Sequence, residues 1–293
     1  MTLFLQQVIA GLAAGAVYAA VALSLALIYR SIKHINFAQG EMALFTTYIA
    51  WQLHAWGAPM VLAALAAVLC GFALGALVQA TVMTHFEGKS DLALVVATLG
   101  LFLAFNGLSS VIWGGHTKTM PSTLPGGVVR IGDVSISVTS IATLVAVGLC
   151  VAGLSLAFKR TRLGMSIRAV ASNPESASLL GIDTARVHIV GWGLAAAFGS
   201  LAGLFVAPKL FLQPEMMFDV LIYAFAGLAL GGLDSIFGAV VASLFVGVAE
   251  NLAGAYVPGV GNDLKILVPL ALIVVVLLVR PSGLFGTKEV VRV

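Results

Sequence analysis

The sequence predicts an all-α polytopic membrane protein. It reads as a bundle of eight or nine transmembrane helices, with one short helix in its longest polar loop and a small hairpin on the other side. Three observations carry this. First, 60% of the 293 residues are hydrophobic and 9% are charged, whereas soluble domains run near 25% charged. So few charges could not solvate the surface of a soluble protein. Second, no Asp, Glu, Lys or Arg occurs from Met42 to Phe86, far more chain than one crossing of roughly 20 residues needs. Third, the 15 Lys and Arg gather in a few short segments. This composition excludes most soluble enzymes and nucleic-acid binders.

The elements follow in order. The first apolar run, about 8–29, has no Lys or Arg before Arg30. It lacks the basic start of a signal peptide and reads as a retained helix. The uncharged stretch after Met42 is broken by Gly57-Ala58-Pro59, which makes it two helices, 38–55 and 59–83. Further spans are expected at 92–113, 138–158, 188–208, 219–233, 236–256 and 265–280. The span at 219–233 is short and would fit a re-entrant segment as well as a crossing. The loop 114–137 contains Val128-Val129-Arg130-Ile131-Gly132-Asp133-Val134-Ser135-Ile136. Its rough alternation around Gly-Asp predicts a hairpin with a type II′ turn. All 293 residues form a single transmembrane domain in this reading.

The longest polar segment, 159–187, holds Lys159, Arg160, Arg162, Arg168 and Arg186. The positive-inside rule puts it in the cytoplasm. Nine spans then give an outside N-terminus and a cytoplasmic C-terminus. Arg30, Lys33, Lys89, those five, Arg280, Lys288 and Arg292 fall inside. Lys118, Arg130, Lys209 and Lys265 fall outside.

Some patterns carry no chemistry. Gly88-Lys89-Ser90 lacks the upstream Gly and strand of a phosphate loop, and Gly191-x-Gly193-x-x-Ala196 sits in an apolar run without a βαβ context. Nucleotide binding is therefore not expected on this chain. The five histidines are scattered, and no metal, cofactor or catalytic constellation is expected. Cys70 and Cys150 read as small packing residues. Gly11/Gly15, Gly71/Gly75, Gly199/Gly203 and Gly227/Gly231 are small-xxx-small pairs that let helix backbones approach closely.

Two segments stand out. Asn173-Pro174-Glu175 is a strong helix start, and Gly181 is a natural stop. A two-turn helix over about 174–180 results. Its apolar Ala177, Leu179 and Leu180 have no evident core, which fits either a docking element for a soluble partner or a connector held by anionic lipid. Asn36-Phe37-Ala38-Gln39-Gly40-Glu41 stands where the second span begins. It is either a helix break beside a substrate path or an ordinary helix start. Glu250, beside Asn251 in the eighth span, is a functional candidate as a buried acid. Thr98 and Asn106 either line a path or bond a neighbouring helix.

Across nearly its whole length the chain resembles the inner-membrane permeases of branched-chain amino acid ABC importers. The resemblance rests on Gly11–Ala19 through Ile28-Tyr29 with Ile35–Glu41; on Gly164–Ala169 with Asn173, Ala177 and Gly181-Ile182; on Ala229–Val240; and on Arg280–Gly286. The family usually has His at Gln39, and Gly and Pro at Asp234 and Phe237. The resemblance implies that 174–181 is a cytoplasmic coupling helix seated in an ATP-binding subunit, with Arg168, Asn173, Pro174, Ala177, Leu179, Leu180, Gly181 and Ile182 at that contact. It implies a second, different permease chain, a periplasmic substrate-binding protein, and ATP hydrolysis on a partner. Asn36, Phe37, Gln39, Gly40 and Glu41, then Thr98, Asn106 and Glu250, are the expected path residues. Branched-chain or related amino acids are the expected cargo. Urea, short amides or small carboxylates carried by the same machinery, or a stand-alone ion-coupled transporter, are the alternatives.

Overall fold

A computed structural model describes residues 2–286 apart from 33, 87, 132, 133, 262 and 263. The hairpin turn Gly132-Asp133 and three of the charges expected inside, Lys33, Lys288 and Arg292, lie outside the described residues. Eleven α-helices are described: α1 (Thr2–Ile32), α2 (Gln39–Ala55), α3 (Met60–Thr81), α4 (Asp91–Trp113), α5 (Val138–Arg160), α6 (Arg162–Ser172), α7 (Pro174–Leu179), α8 (Thr184–Leu210), α9 (Met216–Gly231), α10 (Ile236–Tyr256) and α11 (Leu267–Val279). Among the described residues, six helices are long and apolar enough to cross a membrane: α1, α3 with its short 3₁₀ extension, α4, α5, α8 and α10. The other expected spans form helices of 17, 16 and 13 residues, α2, α9 and α11.

Local chemistry sets the helix starts. Ser90, Thr161, Asn173, Asp183 and Ser235 each accept a backbone N–H three residues on, as N-caps. Ser90 therefore caps α4 and is no part of a phosphate loop. The expected hairpin forms, with β1 (Val128–Ile131) antiparallel to β2 (Val134–Ser137) and Val129 paired with Ile136.

The chain forms two compact units, Met1–Ala26 with Leu124–Gly148 and Asp219–Val293, and Leu27–Thr123 with Leu149–Phe218. In the first, the glycine pairs of α1 and α9 both face α10. A Cβ on Gly11 would fall 2.6 Å from the Val248 Cα, and one on Gly15 2.7 Å from the Leu244 Cα. Gly227 meets Ser243, and Gly231 meets the Gly238 backbone. Ala226, Leu230, Ala242, Val246 and Val276 form an apolar core beside them. Gly232 turns the chain at φ 105. Leu284 and Phe285 donate backbone N–H groups to Leu230 and Gly231, so the Ala229–Val240 and Arg280–Gly286 motifs meet.

In the second unit, α2 packs against α3, α4 and α8. Gly71 and Gly75 of α3 lie on Ser200, Ala196 and Trp192 of α8. Gly199 and Gly203 of α8 lie on Gln39, Ala43 and Thr47 of α2. Gly193 packs on Phe72, so the dinucleotide-like pattern is a helix contact. Cys70 is exposed, Cys150 is half-buried, and both are free. Cys70 thus faces outward rather than packing.

Candidate functional site

Asn36 lies between α1 and α2, and its side chain organises the turn. Its Oδ1 accepts the Ala38 N–H at 3.0 Å, and its Nδ2 donates to Gln39 Oε1 at 3.4 Å. Gln39 Nε2 donates to the Ala195 carbonyl of α8 at 2.9 Å. The Thr46 hydroxyl donates to Ser200 Oγ at 2.8 Å. These bonds join α2 to α8 along the glycine seam. Gly40 is buried in this turn and Phe37 is half-buried.

Glu41 points to the other side. Asn106 of α4 donates one amide N–H to Glu41 Oε2 and another to the Pro214 carbonyl, both at 3.1 Å. Glu41 is fully buried, yet its Oε1 accepts no hydrogen bond. Thr98 is buried nearer the start of α4, and its hydroxyl donates to the Val95 carbonyl of its own helix. The structure thus brings Asn36, Gln39, Glu41 and Asn106 together through α2, while Thr98 is self-satisfied.

Two further groups share the α2–α4 face. The hydroxyls of Tyr48 and Ser109 are buried without a partner. Tyr48 stacks on Trp113 at 5.0 Å, and Phe45 meets Phe105 and Trp113 edge-on at 5.6 and 5.3 Å. Glu41, Phe45 and Tyr48 are spaced i, i+4, i+7, and Phe105, Ser109 and Trp113 are spaced i, i+4, i+8, so each set lies along one helix face. That spacing is readable in the sequence, but it does not by itself single out Tyr48 or Ser109. Glu215 lies close enough to act electrostatically on both Glu41 and Tyr48.

Glu250 belongs to the first unit. Its Oε1 accepts from the Tyr18 hydroxyl at 2.9 Å and from Asn251 at 3.2 Å, and Tyr18 stacks on Tyr223 at 4.7 Å. Glu250 is 5% exposed, and its Oε2 accepts no hydrogen bond.

The 159–187 segment is more ordered than a loop. Helix α6 buries Gly164, Ile167 and Val170 at i, i+3, i+6. A Cβ on Gly164 would meet the Phe158 backbone, and Arg168 donates to the Phe158 carbonyl. Arg168 thus ties α6 to the end of α5. In α7, Asn173 caps Ser176 and Pro174 takes the first turn. Ile182 N–H returns to Ala177 O, Gly181 N–H returns to Ser178 O, and Gly181 has φ 82, which is a Schellman stop. Ala177 is buried, against expectation, because its small side chain turns inward. Leu179 and Leu180 are 88% and 81% exposed.

Comparison with known proteins places the chain. A family model described as "Branched-chain amino acid transport system / permease component" matches residues 7–277. The chain is 31% identical to the high-affinity branched-chain amino acid transport system permease protein BraD of Pseudomonas aeruginosa, over 99% of this chain and 98% of that one. It is 30% identical to the permease protein LivH of Escherichia coli K12, again over 99% and 98%. The permease protein LivM of the same organism is 29% identical over 43% of this chain and 29% of its own length. The chain therefore belongs to the permease component family of branched-chain amino acid transport systems.

Proposed function

We propose that the chain is one permease subunit of an ATP-driven importer. It forms a path for branched-chain or related amino acids across the bacterial inner membrane. Nine crossings, with α2, α9 and α11 as the short ones, put the N-terminus outside and the C-terminus in the cytoplasm. The observation that carries the reading is α7, within a family match that spans most of the chain. A six-residue helix, capped at both ends, presents two leucines to solvent beside a basic segment. Exposed leucines on a rigid short helix are costly unless a partner covers them. A cytoplasmic ATP-binding subunit is that partner, and its ATP cycle switches the path between outside and inside. A LivM-like second permease completes the path, since E. coli LivH and LivM share a system name and resemble this chain to different extents. A periplasmic binding protein delivers the cargo.

The test is purification of the tagged chain from its native host in mild detergent, with co-eluting proteins identified by mass spectrometry. The expected result is an ATP-binding subunit and a second permease. In L179D/L180D the ATP-binding subunit falls at least about ten-fold while permease yield is unchanged, because the changed side chains are already exposed. Repeated elution alone, with uptake driven by an ion gradient, would instead support a stand-alone transporter using Glu250.

A further inference from the structure

Helix α5 is 23 residues long and ends in Lys159-Arg160. At 1.5 Å per residue it reaches about 34 Å, slightly more than a hydrocarbon core, so a crossing α5 sets its last turn at headgroup level. The chain then bends into α6. Thr161 accepts the Gly164 N–H, while its own N–H stays bonded to the Ala157 carbonyl of α5. Gly164 lies against the Phe158 backbone, where a Cβ would not fit. Arg168 reaches back along α6 to donate to the Phe158 carbonyl. These contacts fix the elbow and draw four cations to it: Lys159, Arg160, Arg162 and the Arg168 guanidinium. All four residues are exposed. No acid occurs between Asp133 and Glu175, and neither ion pair among the described residues involves any of the four. Like charges this close repel unless an anion neutralises them.

The surface leading to these cations is apolar. Leu149, Gly153, Leu156 and Arg160 are spaced i, i+4, i+7, i+11 and share one face of α5. Leu149 is 69% and Leu156 55% exposed, and a Cβ on Gly153 would meet nothing within 4 Å. An open apolar stripe therefore runs along the span and ends in positive charge. A soluble anion would use only the charge. An anionic phospholipid uses both parts.

We propose that the α5–α6 elbow binds an anionic phospholipid, with the phosphate headgroup on Lys159, Arg160 and Arg162 and an acyl chain along Leu149, Gly153 and Leu156. Basic clusters beside a span attract anionic lipid, and arginine forks pair with phosphate oxygens. Arg168 adds charge while holding the elbow in shape. The site needs only that α5 crosses a membrane, so it stands apart from the importer reading and from the exposed leucines of α7.

The test uses the tagged chain with its native partners in mild detergent. It is given equal amounts of phosphatidylglycerol and phosphatidylcholine with the same acyl chains, and retained lipid is read by native mass spectrometry. The wild type is expected to retain phosphatidylglycerol in preference. K159Q/R160Q/R162Q is expected to lose at least about ten-fold of that retention. R160Q alone is expected to lose part of it, and R186Q, whose charge Asp183 already pairs, none. Equal retention of the two lipids by the wild type overturns the proposal, as does a triple variant that keeps phosphatidylglycerol. Equal losses in R160Q and R186Q would reduce the effect to net charge and also overturn it. Displacement of phosphatidylglycerol by inorganic phosphate would assign the elbow to soluble anions instead. Should the triple variant fail to purify, the wild-type lipid preference and the two single variants decide. Selective retention by a chain that elutes without an ATP-binding subunit sustains this proposal while the importer reading fails.

Discussion

Helix α2 has two faces that are equally buried and differently finished. Toward α8 it is sealed. Glycines at 199 and 203 bring the backbones together, Gln39 bonds the Ala195 carbonyl, and Thr46 bonds Ser200. Toward α4 the same helix leaves Glu41 Oε1 and the Tyr48 hydroxyl without partners, and Ser109 of α4 also has an unpartnered hydroxyl. Burial alone does not distinguish a structural seam from a site. What separates the two faces of α2 is whether their buried polar atoms are satisfied from within the chain.

The largest effect should come from breaking the glycine seam on the α3 side of α8. A Cβ on Gly75 would lie 2.4 Å from the Trp192 carbonyl of α8, and backbone cannot yield as a flexible side chain can. Gly75→Leu should abolish monodisperse protein in detergent size-exclusion chromatography. A normal yield would mean that α3 and α8 separate easily.

A sharper test contrasts two serines. Ser109→Ala removes a buried hydroxyl that nothing satisfies, so it should raise the melting temperature, with about 1 kcal/mol gained, and slow leucine uptake. Ser200→Ala breaks the bond with Thr46, so it should cost about 1 kcal/mol, lower the melting temperature and leave uptake unchanged. Opposite signs in the two assays separate the faces, and like signs would erase the distinction. The smallest effect is expected for Thr98→Val. Its hydroxyl serves only the Val95 carbonyl of its own helix, so uptake should change less than two-fold.

Much of the fold was legible in the sequence. Apolar length marked the six long helices, and each of the four glycine pairs proved to be a helix contact, because missing side chains at i and i+4 let a neighbouring helix approach closely. The start of α7 at Asn173-Pro174 and its stop at Gly181 were legible for the same local reason. Helix α6 was not. Its charges, Arg162 and Arg168, make it look like loop, while its amphipathic face finds a partner only through the fold at Phe158. The site was half legible. Glu41 and Asn106 stood out as polar residues in apolar surroundings. Tyr48 and Ser109 did not, since a tyrosine or serine in a helix is ordinary, and only the fold reveals that their hydroxyls lack partners. Asn36 and Gln39 drew the eye for their polarity, and their bonds hold the start of α2 in place.

The most direct measurement is thiol labelling of Ser109→Cys and Ser200→Cys. Both go into a complex whose native Cys70 and Cys150 are replaced by Ser, and a small cationic thiol reagent is added during ATP turnover. The account predicts that the cysteine at 109 is labelled, that saturating leucine slows that labelling, and that the cysteine at 200 stays inert. Equal inertness of both positions, or labelling at 109 that leucine does not affect, would contradict it.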